Sequence, residues 1–156
     1  MFKKIIISLV CCLVVVLGVV FNLSNRTDFT ALDGVDYRWK SLQGNWLVVN
    51  YFAEWCVPCL REIPELNKFY AVNKDQLAMF AVSFDALNHA QLTELQKKYN
   101  IQFPVIEHFD TDTPMGRPKS LPATFIITPD GTVAKQLLGE QSAESLTTAL
   151  NTLKGF

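Results

Sequence analysis

The stretch from Trp46 to Glu62 constrains this chain more than any other. Trp46-Leu47-Val48-Val49-Asn50-Tyr51-Phe52-Ala53 is a very apolar run. A run of that length reads as a buried strand, with Tyr51 and Phe52 as core. It leads directly into Trp55-Cys56-Val57-Pro58-Cys59. Beyond it Leu60, Ile63, Leu66, Phe69 and Tyr70 recur at helical spacing, with Arg61, Glu65 and Lys68 between them. The order is strand, Cys-x-x-Cys, helix, which puts Cys56 at a helix N-terminus. Unpaired backbone N–H groups and the helix dipole favour a thiolate there. Such placement brings a thiol from about 8.5 to near 7 or lower, and the thiolate is the reactive form. Cys59 reaches back to Cys56 across one helical turn, so the pair can open and close as a disulfide.

Bulk properties narrow the classes. The 156 residues suit one domain, and a formal charge of -1 gives no basic surface for nucleic acid. The four cysteines fall into two pairs, Cys11-Cys12 and Cys56/Cys59. That is not the disulfide framework of a small secreted fold. A lone Cys-x-x-Cys also lacks the second ligand pair of a zinc site. The two histidines, His89 and His108, make no His-x-x-x-His pattern. No metal and no other cofactor is expected.

The N-terminus reads as a membrane anchor. Lys3 and Lys4 precede residues 5–21, apolar apart from Ser8 and Gly18. About 17 such residues make roughly 26 Å of helix, the short end of a span, and Leu23 extends it. The run ends Gly18-Val19-Val20-Phe21-Asn22-Leu23, without the small-residue site of a cleaved signal. The expectation is a cytoplasmic N-terminus (1–4), one transmembrane helix (5–23), a linker (24–28) and an extracytoplasmic domain (29–156), oriented by the positive-inside rule. Leu9 and Val10 are not the small residues that precede a lipoprotein cysteine. Cys11 and Cys12 therefore read as apolar side chains of the helix.

Turn residues punctuate the rest. Asp33-Gly34 between residues 29–32 and 35–39 reads as a hairpin turn. Residues 41–44 read as a turn or a single helical turn. Residues 77–84 are a second long strand. A helix follows over 88–99, with Leu92, Leu95 and Tyr99 on one face, Asn88 as cap and Asn100 as stop. Phe103-Pro104-Val105-Ile106 is a short strand. Residues 110–119, with Pro114, Gly116 and Pro118, read as a loop. Pro129-Asp130-Gly131 joins strands 123–128 and 132–137. A helix over 142–153 closes the chain, capped by Ser142, with Leu146, Leu150 and Leu153 inward.

This order, with Trp-Cys-x-Pro-Cys ending the first long strand, resembles the TlpA/ResA-like branch of the thioredoxin superfamily: membrane-tethered, extracytoplasmic thiol-disulfide oxidoreductases. The likeness covers about residues 29–153. The early hairpin, Asn50 where cytosolic thioredoxin has a buried Asp, Glu62 three residues after the second cysteine, and Pro64 in the helix all fit that branch. The resemblance implies a thioredoxin-like α/β fold: a central mixed sheet flanked by helices, with an added N-terminal hairpin and a strand-helix insertion around residues 88–104. It also implies that Leu121-Pro122 is the cis-proline beside the cysteine pair, where a client chain docks. The next residue is Ala123, where this branch often has Thr, and that bears on substrate preference.

The roles follow from chemistry and resemblance together. Cys56 is the attacking thiolate and Cys59 the resolving thiol. Glu62 lies one turn past Cys59, and an apolar surrounding should raise its pKa enough to exchange the Cys59 proton. Trp55 offers a flat contact surface over the disulfide, and Pro58, Leu121 and Pro122 support the site. Glu54 reads as a solvated charge. The implied activity is reduction of protein disulfides, in cytochrome c maturation or envelope redox homeostasis, with oxidase or isomerase as the alternative direction. The implied partners are disulfide-bearing clients and a membrane electron donor of the DsbD/CcdA kind. A peroxiredoxin-type peroxidase would need a Thr-x-x-Cys context, which is absent. A copper-handling protein on the same fold usually spaces its cysteines wider and adds a histidine ligand; His89 and His108 keep that alternative open, and copper titration of the reduced protein separates it from a reductase. An interaction module without turnover would share the fold but not reduce insulin.

Overall fold

The computed structural model describes Lys3, Ile6, residues 12–18 and residues 26–155. Most of the expected 5–23 anchor and the start of the 24–28 linker lie outside the described residues, as does Cys11. Residues 12–18 are helical, and Cys12 there is free and exposed. Among the described residues no helix is long and apolar enough to cross a membrane.

The domain is one seven-stranded mixed sheet in the order β2-β1-β5-β4-β3-β6-β7. Its strands are β1 (Phe29–Ala31), β2 (Asp36–Tyr37), β3 (Trp46–Phe52), β4 (Leu77–Ser83), β5 (Val105–Phe109), β6 (Ala123–Ile127) and β7 (Val133–Leu138). The helices are α1 (Trp39–Leu42), α2 (Val57–Asn73), α3 (His89–Lys98) and α4 (Ala143–Lys154). β3 pairs in parallel with β4 over its full length and antiparallel with β6. The expected α/β order, the early hairpin and the inserted helix are all present.

Period-two alternation sorts the strands' side chains between two cores. Val48 and Phe52 of β3, Met79 and Ala81 of β4 and Ile126 of β6 pack with Ile63, Leu66 and Phe69 of α2, Leu92 and Leu95 of α3, and Leu146 and Leu150 of α4. Leu47, Val49, Tyr51, Phe80, Val82 and Phe125 face the other way, against Trp39 and Leu42 of α1 and Met115 of the 110–120 loop. Asn50 and Thr124 sit on the α2 side of the sheet, which matters below.

Local signals act where expected. Asn88 accepts the Gln91 N–H at 3.0 Å while the Gln91 side chain accepts the Asn88 N–H at 3.0 Å, a capping box. Ser142 and Ser145 make the same reciprocal pair at the start of α4. Asn100 ends the α3 segment at φ 50°, a left-handed value that Asn tolerates. Its carbonyl accepts from Asn67 Nδ2 at 2.8 Å, and Asn67 Oδ1 accepts the Gln102 N–H at 2.9 Å. One buried amide of α2 thus pins the connection from α3 to β5.

Two boundaries differ from the sequence reading. Trp39 belongs to α1 rather than to the hairpin strand, because its ring packs on Phe29 at 4.5 Å and its N–H reaches Asp28 Oδ2 at 2.8 Å. The strand expected at 103–106 instead runs Val105–Phe109. Phe103 turns into the α2–α3 core beside Tyr70. His108 and Phe109 are recruited by antiparallel pairing with Thr30 and Phe29.

Asn67→Ala leaves the Asn100 carbonyl and the Gln102 N–H without these partners, an expected loss of about 2 kcal/mol. Asn88→Ala removes one exposed cap, an expected loss of about 1 kcal/mol. Urea denaturation of both variants checks the order; equal losses would mean the Asn67 clamp is no stronger than a cap.

Candidate active site

β3 delivers the site. Its last residue is held to β4's end by the Phe84 N–H donating to the Phe52 carbonyl at 2.7 Å. A tight turn follows, with the Cys56 N–H donating to the Ala53 carbonyl at 3.1 Å. Cys56 is the N-cap of α2, and its sulfur accepts the Cys59 N–H at 3.3 Å. Pro58 stands in the first turn, where a missing N–H leaves no helical bond unmade. Cys56 and Cys59 form a disulfide with Cα atoms 5.2 Å apart. They are 4% and 0% exposed. The helix terminus provides the donors that stabilise a thiolate at Cys56 once the bond opens.

The surface around the pair is apolar. Trp55 is 64% exposed and Val57 60%. The Trp55 indole N–H donates to Asp85 Oδ2 at 2.8 Å, and its ring meets Phe84 edge-on. Arg117 lies 3.9 Å above the Phe84 ring and donates to the Phe84 carbonyl at 2.8 Å. The indole is thus held from two sides beside Cys56. The Leu121-Pro122 bond is cis, and the Pro122 carbonyl accepts the Gly139 N–H at 2.9 Å. Leu121 packs against the core that contains both cysteines.

Glu62 is not a surface residue of an amphipathic helix; it is 0% exposed. Asn50 Nδ2 donates to its Oε1 at 2.8 Å, and the Gln141 backbone N–H donates to its Oε2 at 2.9 Å. Asn50 Nδ2 also donates to Thr124 Oγ1 at 3.0 Å. Burial pushes the carboxyl up to about 7, against the two donors that favour the charged form. Glu54, by contrast, is exposed, and the hydrogen bond from Lys98 holds its carboxyl below the usual range.

The structure therefore brings Trp55, Cys56, Pro58, Cys59 and Glu62 to one helix end, with the Leu121-Pro122 turn packed against the same core. Sequence reading does not single out Thr124, Gln141, Asp85 or Arg117. Thr124 meets Asn50 through the β3–β6 register, and Gln141 arrives from 79 residues away. His89 pairs with Glu107, and His108 lies 3.5 Å from Asp110. Among the described residues no group of three or more His, Cys, Asp or Glu side chains is placed to hold a metal ion.

Comparison with known proteins agrees with this geometry. The model of the AhpC/TSA family matches residues 22–136. A thiol-disulfide oxidoreductase ResA of Bacillus cereus is 32% identical over 121 residues, 75% of this chain and 68% of ResA. Among solved structures, DsbF of MTB, in mixed oxidized and reduced forms, aligns with a TM-score of 0.67 at 25% identity, covering 81% of this chain and 93% of that one. StoA from Bacillus subtilis aligns with a TM-score of 0.63 at 21% identity, covering 78% of this chain and 92% of StoA. The fold is thioredoxin-like.

The Glu62 environment has a consequence for stability. A carboxyl that holds its proton more tightly when folded favours the folded state while protonated. That contribution is full below the unfolded value and is lost as pH rises through the folded one. Between pH 4.5 and 7 the oxidised protein should lose about 3 kcal/mol of unfolding free energy relative to Glu62→Gln. Urea titrations of both proteins across that range measure it, and a pH-independent difference would contradict it.

Proposed function

The chain belongs to the AhpC/TSA family and is a thiol-disulfide oxidoreductase of its ResA-like kind; on that premise we propose that it reduces protein disulfides outside the cytoplasm. The observation that carries the reading is the cysteine pair at the α2 N-terminus with a buried, protonatable Glu62 one turn beyond. In the reduced enzyme the Cys56 thiolate attacks one sulfur of a client disulfide. A mixed disulfide forms and the client's other sulfur leaves as a thiolate. Cys59 passes its proton to the Glu62 carboxylate and attacks the Cys56 sulfur. The client's second sulfur leaves, and two electrons have moved from the enzyme to the client. Trp55, Val57 and the Leu121-Pro122 turn offer the client an apolar, hydrogen-bonding face.

The reducing direction is supported by Val57-Pro58 between the cysteines, which is unlike the Pro-His of strongly oxidising members of the superfamily. Clients are disulfide-bearing envelope proteins, apocytochrome c among the candidates. Re-reduction in an oxidising compartment calls for a membrane dithiol donor of the DsbD/CcdA kind. The membrane reading is supported by Lys3 and Lys4 before the apolar run and by the exposed apolar side chains Leu13, Val14, Val15, Val16 and Leu17. The segment 5–23 then holds the enzyme to the cytoplasmic membrane, with residues 1–4 inside and the catalytic domain outside.

Cys56→Ser should abolish disulfide reduction, and Cys59→Ser should accumulate mixed disulfides that identify the clients. Faster reaction of Cys59 than Cys56 with a thiol probe would reverse the roles. The couple should lie nearer thioredoxin at about −270 mV than DsbA at about −120 mV, and a value above about −180 mV would mark an oxidase or isomerase. For topology, an alkaline phosphatase fused after Phe156 should be active in cells. An inactive fusion, or a mature protein lacking residues 1–21, would sink the anchored orientation.

A further inference from the structure

We propose that Asn50, steered by Thr124, is a positioning residue that serves the Glu62 carboxyl in both of its protonation states. The inference rests on the reading of Glu62 as the group that takes the Cys59 proton. Asn50 lies in the middle of β3 on the α2 side of the sheet, between Val48 and Phe52. It is 1% exposed, and Thr124 opposite it is 0% exposed. An amide in that position is costly unless its polar atoms are bonded. Both bonds the structure gives Nδ2 are short, 2.8 Å to Glu62 Oε1 and 3.0 Å to Thr124 Oγ1.

These three groups differ in what they can exchange. The Gln141 backbone N–H on Oε2 is a donor only; Oε2 accepts it in the carboxylate and, with the proton on Oε1, in the acid as well. An amide has a donor end and an acceptor end of nearly the same shape, and a hydroxyl is both donor and acceptor. With Glu62 ionised, Nδ2 donates to Oε1 and to Thr124 Oγ1, as observed. With Glu62 protonated, a half-turn of the Asn50 amide places Oδ1 where Nδ2 stood. Oδ1 then accepts from the Glu62 O–H, and the Thr124 hydroxyl rotates to donate to the same oxygen. The polarity of the Thr124–Asn50 pair inverts, and both side chains keep their partners. An Asp at position 50 would instead set a second charge beside Glu62, and a Leu would serve neither state.

The charged and titratable groups around the cluster are few. Glu140, on the segment after β7, raises Glu62 and is itself paired with Arg61 at 2.9 Å. Glu65, one turn along α2, is taken up by Lys68 and by the Ala143 N–H. Cys56 and Cys59 lie on the same helix. From β3 and β6 come only the neutral Asn50 and Thr124, so Glu62 is the one titrating carboxyl at this contact.

The test is a carbon-13 carboxyl titration of Glu62 in the full-length, reduced protein, together with the pH profile of mixed-disulfide release. Asn50→Leu should move the Glu62 midpoint alkaline by about one pH unit, because the charge-assisted bond lost by the carboxylate is worth more than the neutral bond lost by the acid. The release profile should move with it. Thr124→Val should shift the midpoint in the same direction, and Thr124→Ser, which keeps the hydroxyl, should restore it. A midpoint in Asn50→Leu equal to that of the parent overturns the inference. Should that variant fail to fold, equal midpoints in the Val and Ser variants of Thr124 overturn it instead. A moved carboxyl titration with an unmoved release profile leaves Asn50 as the partner of Glu62 and sinks the proton-transfer reading on which the proposal rests.

Discussion

The contact on which this architecture depends is the one between Asn50 and Glu62. It joins the middle of β3 to the redox helix, 2.8 Å apart, in a layer otherwise built from Val48, Phe52, Ile63 and Leu66. Two apolar side chains of similar volume would pack there at no desolvation cost, and such replacements commonly raise stability. The chain keeps an acid and an amide instead. What the pair provides is a carboxyl that burial raises to about 7. On the proposed mechanism, packing is surrendered there for proton exchange.

The rest of the sheet is arranged to hold that contact still. Parallel pairing with β4 and antiparallel pairing with β6 fix β3 along both edges. Asn67 ties the redox helix to the α3–β5 connection, and Glu65 ties it to the first turn of α4 through the Ala143 N–H. The opposite face has no long helix among the described residues. An aromatic cluster of Phe29, Tyr37, Trp39, Phe80 and Phe109 fills it, in stacked, tilted and edge-on contacts.

What can be read from the chain alone divides by range. The strand, the Cys-x-x-Cys and the helix are contiguous, so the order of residues alone places Cys56 at a helix end. The caps at Asn88 and Ser142 act on groups three residues away and are equally visible. Glu62 is legible as one turn past Cys59, but its complete burial is not, since that depends on Gln141 and Thr124 arriving from distant segments. The bounds of β5 escape local reading for the same reason: Pro104 is apolar and extended, yet only the pairing of Phe109 with Phe29 says where the strand ends. Trp55 is legible as a surface aromatic. The Asp85 and Arg117 side that steadies it is not, because neither residue belongs to any local pattern.

The position of β3 also bears on how the domain assembles. Its partner on one side, β4, follows within about thirty residues in the chain. Its partner on the other, β6, pairs Leu47 with Ile127, eighty positions later. During synthesis from the N-terminus, the β6 edge of β3 therefore stays bare until residues 123–127 emerge. Through that interval the strand that carries the redox motif presents an open row of amides and carbonyls beside Leu47, Val49 and Tyr51. Such an edge is a template for pairing with other chains. Completion of the β6–β7 hairpin closes it, so residues 123–138 act as the lid that keeps the finished strand from finding a partner in another molecule.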